Sequence, residues 1–145
     1  MQYSQPGLHL TEQFEGCKLV AYQDSKGIWT IAFGHTRDVY PGMTCTQEQA
    51  NVWLAQDILW AESEVNKLVK VPVTQPEFDA LVDFTFNCGC GNFDHSTLLK
   101  LVNADDMTDA ANEFEKWDKC GGQVVAGLLR RRQAEAAEFR AVPAS

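Results

Sequence analysis

Two carboxylic acids and one hydroxyl near the start of the chain have residue types and spacing that suit hydrolysis. Glu15 is predicted to end a helix, where the backbone dipole and unpaired carbonyls disfavour negative charge. Phe14 and Leu19 add apolar surroundings, so we expect a protonated acid at Glu15. Asp24 lies in a polar turn and is expected to be ionised. Such a pair suits a general acid and a general base, and Thr30 could hold a water beside Asp24.

Each of these side chains also has an ordinary structural explanation. A glutamate at a helix end is usually solvated, and an aspartate in a turn usually accepts backbone N–H groups. A threonine on a strand is a good strand former. The residues taken singly therefore leave the chemistry open.

The first forty residues are predicted to fold as a helix followed by a small hairpin. Ser4 can cap a helix that runs to about Glu15, and Gly16 can end it. A turn follows at residues 24–27, and residues 28–33 are rich in β-branched and aromatic side chains. A hairpin of this size is not stable alone, so it must pack on helices.

The remainder of the chain is predicted to be helical. A capping box at Thr46 opens a helix over about residues 47–69. A second capping box, from Thr74 to Glu77 with Pro76 inside the first turn, opens the next helix, and Gly89 and Gly91 are predicted to end it. Further helices are predicted over about 96–102, 107–119 and 125–140, with Gly121-Gly122 as the break before the last. The fold class is therefore α+β and mostly helical, with the helix over 47–69 as a plausible bridge between two lobes.

Composition and charge exclude several classes of protein. The 145 residues, 45% of them hydrophobic, suit one globular domain. The net charge of −8 argues against nucleic acid or an anionic membrane as the partner. No apolar run approaches the length of a membrane-spanning helix, and residues 1–10 lack a basic start followed by an apolar core, so we expect neither a membrane span nor a secretion signal. The basic cluster Arg130, Arg131 and Arg132 indicates either a solvated helix face or an anion or carboxylate cluster packed against it.

The five cysteines are expected to be free thiols. Cys88-Gly89-Cys90 has one intervening residue, whereas zinc and redox motifs usually have two or more. We therefore expect no metal and no cofactor.

The residues together resemble the active-site signature of the phage-type lysozymes, also called endolysins or muramidases. That signature places an Asp nine positions after a Glu and a Thr six positions after the Asp, which is the spacing of Glu15, Asp24 and Thr30. Ala32 departs from this signature, because the family usually has glycine at that position. The methyl group of alanine reduces the space through which another group could approach the backbone there. The match continues along nearly the whole chain, at Gly16, Leu19, Ala21-Tyr22, Gly27, Trp29, Ile31, Gly34-His35-Thr36, Ala80-Leu81-Val82, Phe86-Asn87, Gly89, Gly91-Asn92-Phe93, Ser96 to Leu99, Trp117, Gly121-Gly122, Gly127-Leu128, Arg130-Arg131 and Glu135.

The resemblance implies a two-lobed lysozyme-like fold as a single domain over residues 1–145. The β lobe would cover about residues 16–45, the bridging helix 47–69 and the helical lobe 74–145, with the helix over 4–15 packing at the cleft. It also implies inverting hydrolysis of the β-1,4 bond between N-acetylmuramic acid and N-acetylglucosamine in peptidoglycan. Glu15 would be the general acid. Asp24 and Thr30 would position and activate water on the far face of the sugar, or would stabilise positive charge that develops on the ring.

The resemblance also implies supporting residues. His35 would organise the sheet through hydrogen bonds, Phe86 would be core or a sugar platform, and Asn87 would contact N-acetyl groups. In similar enzymes a C-terminal arginine packs against the catalytic glutamate. By its position Arg131 is predicted to be this arginine, and Arg130 and Arg132 are the alternative candidates.

The expected protein is a monomeric endolysin that accumulates in the host cytoplasm without stable membrane insertion. It would reach glycan strands of the periplasmic wall after a holin-type pore opens the membrane. Two alternatives remain open: a catalytically silent glycan-binding or virion domain of the same fold, and a lytic transglycosylase, against which the second carboxylate argues.

Overall fold

Helices make up most of the chain in the structure, a computed structural model that describes residues 1–120 and 123–143. Strand β1 (Lys18–Gln23) pairs antiparallel with β2 (Trp29–Ala32), and β3 (Lys119–Cys120) pairs antiparallel with β4 (Gln123–Val124). The predicted α+β, mostly helical class is confirmed. The helices are α1 (Gln5–Glu15), α2 (Gln47–Leu68), α3 (Gln75–Cys88), α4 (Cys90–Asp94), α5 (Thr97–Asn103), α6 (Met107–Glu113) and α7 (Ala126–Phe139), and the strands are β1 (Lys18–Gln23), β2 (Trp29–Ala32), β3 (Lys119–Cys120) and β4 (Gln123–Val124).

Capping hydrogen bonds confirm the predicted starts of α1 and α3. The Ser4 hydroxyl accepts the backbone N–H of Gly7 at 3.3 Å, two residues into α1. At α3 the box is reciprocal: Thr74 Oγ1 accepts from the Glu77 backbone N–H at 3.2 Å, and Glu77 Oε1 accepts from the Thr74 N–H at 2.8 Å. Each such cap stabilises its helix by about 1 kcal/mol.

The predicted helix over 107–119 is wrong at its C-terminal end. Helix α6 ends at Glu113, and residues Phe114–Lys116 form a 3-10 turn. A 3-10 turn aligns side chains three positions apart, and the rings of Phe114 and Trp117 both pack edge-on against Phe84, at centroid distances of 5.7 and 5.4 Å. Tertiary packing on Phe84 therefore overrides the helical pattern.

The glycines after α3 behave differently from each other. Gly89 has φ +96° and ends α3, as predicted. The second predicted helix end, at Gly91, is wrong because Gly91 lies inside the short helix α4. The pair β3 and β4 was not predicted, and the predicted break at Gly121-Gly122 lies outside the described residues.

The described residues divide into two compact units. Residues Thr11–Leu59 form the first, which contains β1 and β2, and Met1–Leu10 with the described residues from Trp60 onward form the second. The first unit buries Ile31, Phe33 and Leu54, and the second buries a cluster of phenylalanines: Phe78, Phe84, Phe93, Phe114 and Phe139. Burial of each large apolar side chain contributes about 1.5–3 kcal/mol, so each unit has a core of its own.

Candidate active site

Glu15 is held at the end of α1 by two glycines. Gly16 has φ +67°, a left-handed conformation that ends the helix directly after Glu15. Gly34 has φ +79°, and a β-carbon added to it would lie 2.9 Å from Glu15 Oε1. The half-buried carboxyl of Glu15 therefore faces the backbone of Gly34 at a distance that only glycine permits.

Asp24 is oriented by the hairpin turn that it opens. Its Oδ1 accepts the backbone N–H groups of Lys26 at 2.8 Å and Ile28 at 2.9 Å. The Asp24 backbone N–H also donates to the Ile28 carbonyl at 2.9 Å. The Asx turn considered as an ordinary explanation is thus present. Both of these hydrogen bonds go to Oδ1. The other oxygen of the carboxylate, Oδ2, can therefore accept a proton.

The Thr30 hydroxyl is available as a hydrogen-bond acceptor and not as a donor. It lies on β2, is buried, and donates its hydroxyl hydrogen to the Ile28 carbonyl at 2.9 Å. A hydroxyl that donates this way keeps lone pairs on its oxygen. A water between Thr30 and Asp24 could therefore donate one hydrogen to each and keep a lone pair for attack on carbon.

His35 is fixed by two residues of α2 that the sequence reasoning did not assign to the site. Its Nδ1 lies 2.7 Å from Asp57 Oδ2, and its ring stacks on Trp53 with centroids 4.6 Å apart. Its backbone exchanges two hydrogen bonds of 2.9 Å with Ile31. Asp57 could have been found from the sequence, because it is a carboxylate inside the apolar series of α2.

The other predicted supporting residues belong to the second unit. Phe86 is half-buried on α3, and its ring lies 5.9 Å from that of Trp60. Asn87 is exposed, although its Oδ1 accepts from Arg132 Nη2 at 2.7 Å. Arg131 is buried and donates to both oxygens of Asp83, at 3.0 and 2.9 Å. The structure thus places these three residues around α3 and α7.

The basic cluster of α7 is mostly not a solvated face. Arg130 is exposed, but Arg131 and Arg132 are buried against carboxylates. Arg132 Nη2 donates to Glu135 Oε2 at 3.0 Å. Of the two explanations left open by the sequence, a packed carboxylate cluster therefore holds for two of the three arginines.

Burial and neighbouring charges shift the pKa values of two side chains in this cluster. Burial is the largest cause that raises the pKa of Glu135 well above its usual value, followed by the neighbouring Asp83, while Arg132 and Arg131 oppose the shift. Burial also raises the pKa of the Cys88 thiol, against the opposing effect of Arg132.

Ala32 carries a backbone cost that the sequence did not reveal. It is buried and has φ +58°. A left-handed conformation costs a residue with a β-carbon about 1–2 kcal/mol. Backbone strain, in addition to the intrusion of a methyl group, thus distinguishes alanine from glycine at this position.

The described residues contain neither a candidate metal site nor a helix that could span a membrane. Over residues 1–120 and 123–143, no three His, Cys, Asp or Glu side chains are grouped so as to hold a metal ion. Within the same ranges, every helix is too short or too polar to cross a membrane.

Comparisons with known proteins agree with this geometry. The family model described as phage lysozyme matches residues 12–135. The endolysin of Acyrthosiphon pisum secondary endosymbiont phage 1 is 43% identical over 143 residues, which cover 96% of this chain and 98% of that protein. The endolysin of Bacillus phage B103 is also 43% identical, over 96% of this chain and 54% of its own length.

A solved structure supports the same assignment. The endolysin from Escherichia coli O157:H7 phage FAHEc1 superposes with a TM-score of 0.92 at 38% identity, over 100% of this chain and 98% of that chain. The signature residues, the fold and these relatives together show that the chain belongs to the phage lysozyme family, the glycoside hydrolases that act as endolysins.

Proposed function

We propose that the protein hydrolyses the β-1,4 bond between N-acetylmuramic acid and N-acetylglucosamine of peptidoglycan. The observation that carries the proposal is the arrangement in the unit Thr11–Leu59. A carboxyl faces the Gly34 backbone, and a second carboxylate is oriented by two backbone N–H groups of its turn. A buried hydroxyl on β2 is available as an acceptor.

The proposed reaction is a single displacement. Glu15 donates its proton to the leaving glycosidic oxygen as the bond to the anomeric carbon breaks. Water attacks that carbon from the opposite face, and its proton passes to Asp24. Thr30 accepts the other hydrogen of the water and so orients it. A separation of about 6.5–9.5 Å between the two carboxyl groups leaves room for this water, whereas about 5 Å would favour a covalent intermediate.

Supporting roles are proposed for four further residues. His35, held by Asp57, would keep the segment after β2 in place and so fix the backbone that faces Glu15. Phe86 and Asn87 would contact the glycan, through a ring face and an amide. Arg131 is retained as a supporting residue of the site on the resemblance alone.

The proposed biological setting is host lysis. The enzyme would accumulate as a monomer in the host cytoplasm and act on periplasmic peptidoglycan after a holin-type pore opens the membrane. A net charge of −8 disfavours nucleic acid and anionic membranes as partners. Binding to an anionic wall would then rest on hydrogen bonds to sugars more than on bulk charge.

Mass spectrometry of digested peptidoglycan tests the reaction. We expect products with reducing muramic ends, and proton NMR of the first turnovers should show the inverted anomer. Anhydro-muramic ends would instead identify a transglycosylase. Binding to peptidoglycan without cleavage would identify a silent glycan-binding domain, and either result would overturn the proposal.

A further inference from the structure

Trp60 and Phe86 bring two aromatic rings together at the surface of the second unit. Trp60 lies on α2 and Phe86 on α3, and their ring centroids are 5.9 Å apart at an interplanar angle of 32°. Trp60 is 40% exposed, and Phe86 is half-buried. The indole therefore packs against protein while a large part of its surface is open to solvent.

An exposed indole that is supported in this way suits the binding of a ligand with an apolar face. Tryptophan offers a large, rigid contact area at a low cost in conformational entropy, and it is enriched among the residues that dominate binding energies. The faces of its ring are electron-rich and attract groups of weakly positive charge. The C–H groups on one face of a hexose ring are groups of this kind, so a sugar can stack on Trp60.

The amide of Asn87, the residue after Phe86 on α3, is held in one orientation. Its Oδ1 accepts from Arg132 Nη2 at 2.7 Å, and Arg132 is fully buried. A guanidinium has donors and no acceptor, so the amide atom that contacts it must be the oxygen. Asn87 is itself exposed, and the group that it has left for a ligand is therefore the Nδ2 donor.

The charges at this place favour a neutral ligand. The two rings and the amide are uncharged, and the buried guanidinium of Arg132 also donates to Glu135 Oε2 at 3.0 Å. The net charge of −8 disfavours an anion. A ligand that fits has no charge, a face of C–H groups and a hydrogen-bond acceptor. N-acetylglucosamine has all three properties, whereas N-acetylmuramic acid carries a substituent with a carboxyl group.

Resting on the proposed function, we propose that Trp60 stacks on an N-acetylglucosamine ring of the glycan strand and that Asn87 Nδ2 donates to the carbonyl oxygen of its acetamido group. Phe86 completes the aromatic platform. Trp60 touches no reacting atom, so its contact is equally strong in the ground state and in the transition state. Binding of this uniform kind lowers KM and leaves kcat unchanged.

The kinetic test is Trp60→Ala, with Leu59→Ala as a matched control. Leu59 precedes Trp60 on α2 and is 56% exposed. The loss of an aromatic contact corresponds to about twofold to tenfold in affinity. We expect KM of Trp60→Ala on purified peptidoglycan to rise by about that factor with kcat within about twofold, whereas the control keeps both values.

Trp60→Phe keeps a ring beside Phe86 and provides a second, milder variant. Its KM should lie between those of the wild type and Trp60→Ala. A wild-type KM in Trp60→Ala would overturn the inference. An equal rise of KM in Trp60→Ala and Leu59→Ala would overturn it too, because it would show a general effect of apolar surface on α2.

Binding to the Glu15→Gln protein measures the contact without the reaction. The probe is tetra-N-acetylchitotetraose, which contains only N-acetylglucosamine, and cellotetraose, which lacks acetamido groups, is the comparison. The first sugar should move the tryptophan fluorescence to shorter wavelength, and this shift should be lost when Trp60→Phe is added. Trp60→Ala should weaken the binding of both sugars, whereas Asn87→Ala should remove the preference for the first.

Three results of this binding experiment would overturn the inference. They are no binding of tetra-N-acetylchitotetraose, a fluorescence shift that persists in Trp60→Phe, and a preference for the acetylated sugar that persists in Asn87→Ala. The wild-type digest keeps the inference separate from the function on which it rests. If the wild-type protein releases no reducing muramic ends, the proposed function fails. If it releases them and Trp60→Ala has a wild-type KM, only the role of Trp60 fails.

Discussion

The two units of the molecule use charged side chains in opposite ways. In the unit Thr11–Leu59, Glu15 and Asp24 are only partly buried, and backbone groups of turns and glycines orient them. In the other unit, Arg132 and Glu135 are fully buried and contact each other. Carboxyls that exchange protons with a substrate need access and a fixed direction, whereas a buried ion cluster serves the fold.

The largest effect on stability is expected from breaking the buried cluster. Arg132→Met removes the guanidinium that contacts Glu135, Asn87 and the Cys88 thiol. Removal of one partner of a buried ion pair costs about 3–5 kcal/mol. We expect the free energy of unfolding in urea to fall by this amount.

Arg130→Met is the matched control for that experiment, because Arg130 is the exposed neighbour on α7. Its unfolding free energy should change by less than about 0.5 kcal/mol. Equal effects of the two substitutions would contradict a stabilising role of the buried cluster.

A smaller effect, on activity, is expected from moving the carboxyl of Glu15, the proposed general acid. Gly34→Ala places a methyl group 2.9 Å from Glu15 Oε1, so the carboxyl must shift. A displacement of about 1 Å can cost about 10²-fold in rate. The initial rate of peptidoglycan cleavage, corrected for the folded fraction, measures the loss.

Gly42→Ala is the control for backbone strain. Gly42 belongs to the same unit and has φ +81°, close to the +79° of Gly34, but a β-carbon added there meets nothing within 4 Å. Both variants should lose similar stability, about 1 kcal/mol, while Gly42→Ala keeps its rate. Parallel losses of rate in the two variants would show that strain, rather than contact with Glu15, is responsible.

The pH dependence of stability should single out Glu135. Burial, then Asp83, raise its folded-state pKa above the ordinary value of 4.5. The contribution of this pKa shift to the free energy of unfolding is therefore fully present below pH 4.5. It is lost as the pH rises toward the raised folded-state pKa. Glu135→Gln lacks this titration.

Urea unfolding of the wild type and Glu135→Gln between pH 4 and 7.5 measures the effect. The variant should gain stability relative to the wild type as the pH rises through this range. A difference that stays constant, or that changes in the opposite direction, would refute the raised pKa.

Much of the fold could be predicted because local signals and the tertiary structure agree. The Thr46 cap, the capping box at Thr74, the end of α1 at Gly16 and the hairpin of β1 and β2 are local features, and each is present. The end of α6 could not be predicted, because it depends on Phe84, which is distant in sequence.

The candidate site shows the same division. The spacing of Glu15, Asp24 and Thr30 identified the family, and the contacts of Asp24 and Thr30 lie within their own hairpin. The approach of Gly34 to Glu15 and the pairing of His35 with Asp57 join different elements. A local pattern can mark Asp57 as an unusual carboxylate of α2, but it does not reveal which residue each of these groups contacts.

The central claim is that Glu15 donates the proton that breaks the glycosidic bond. Glu15→Gln keeps the shape of the side chain and removes its acid, and Glu12→Gln on the same helix is the control. Loss of a general acid costs about 10²–10⁴-fold, so kcat of Glu15→Gln on purified peptidoglycan should fall by that factor while Glu12→Gln keeps its rate. A folded Glu15→Gln protein that cleaves at the wild-type rate would contradict the account.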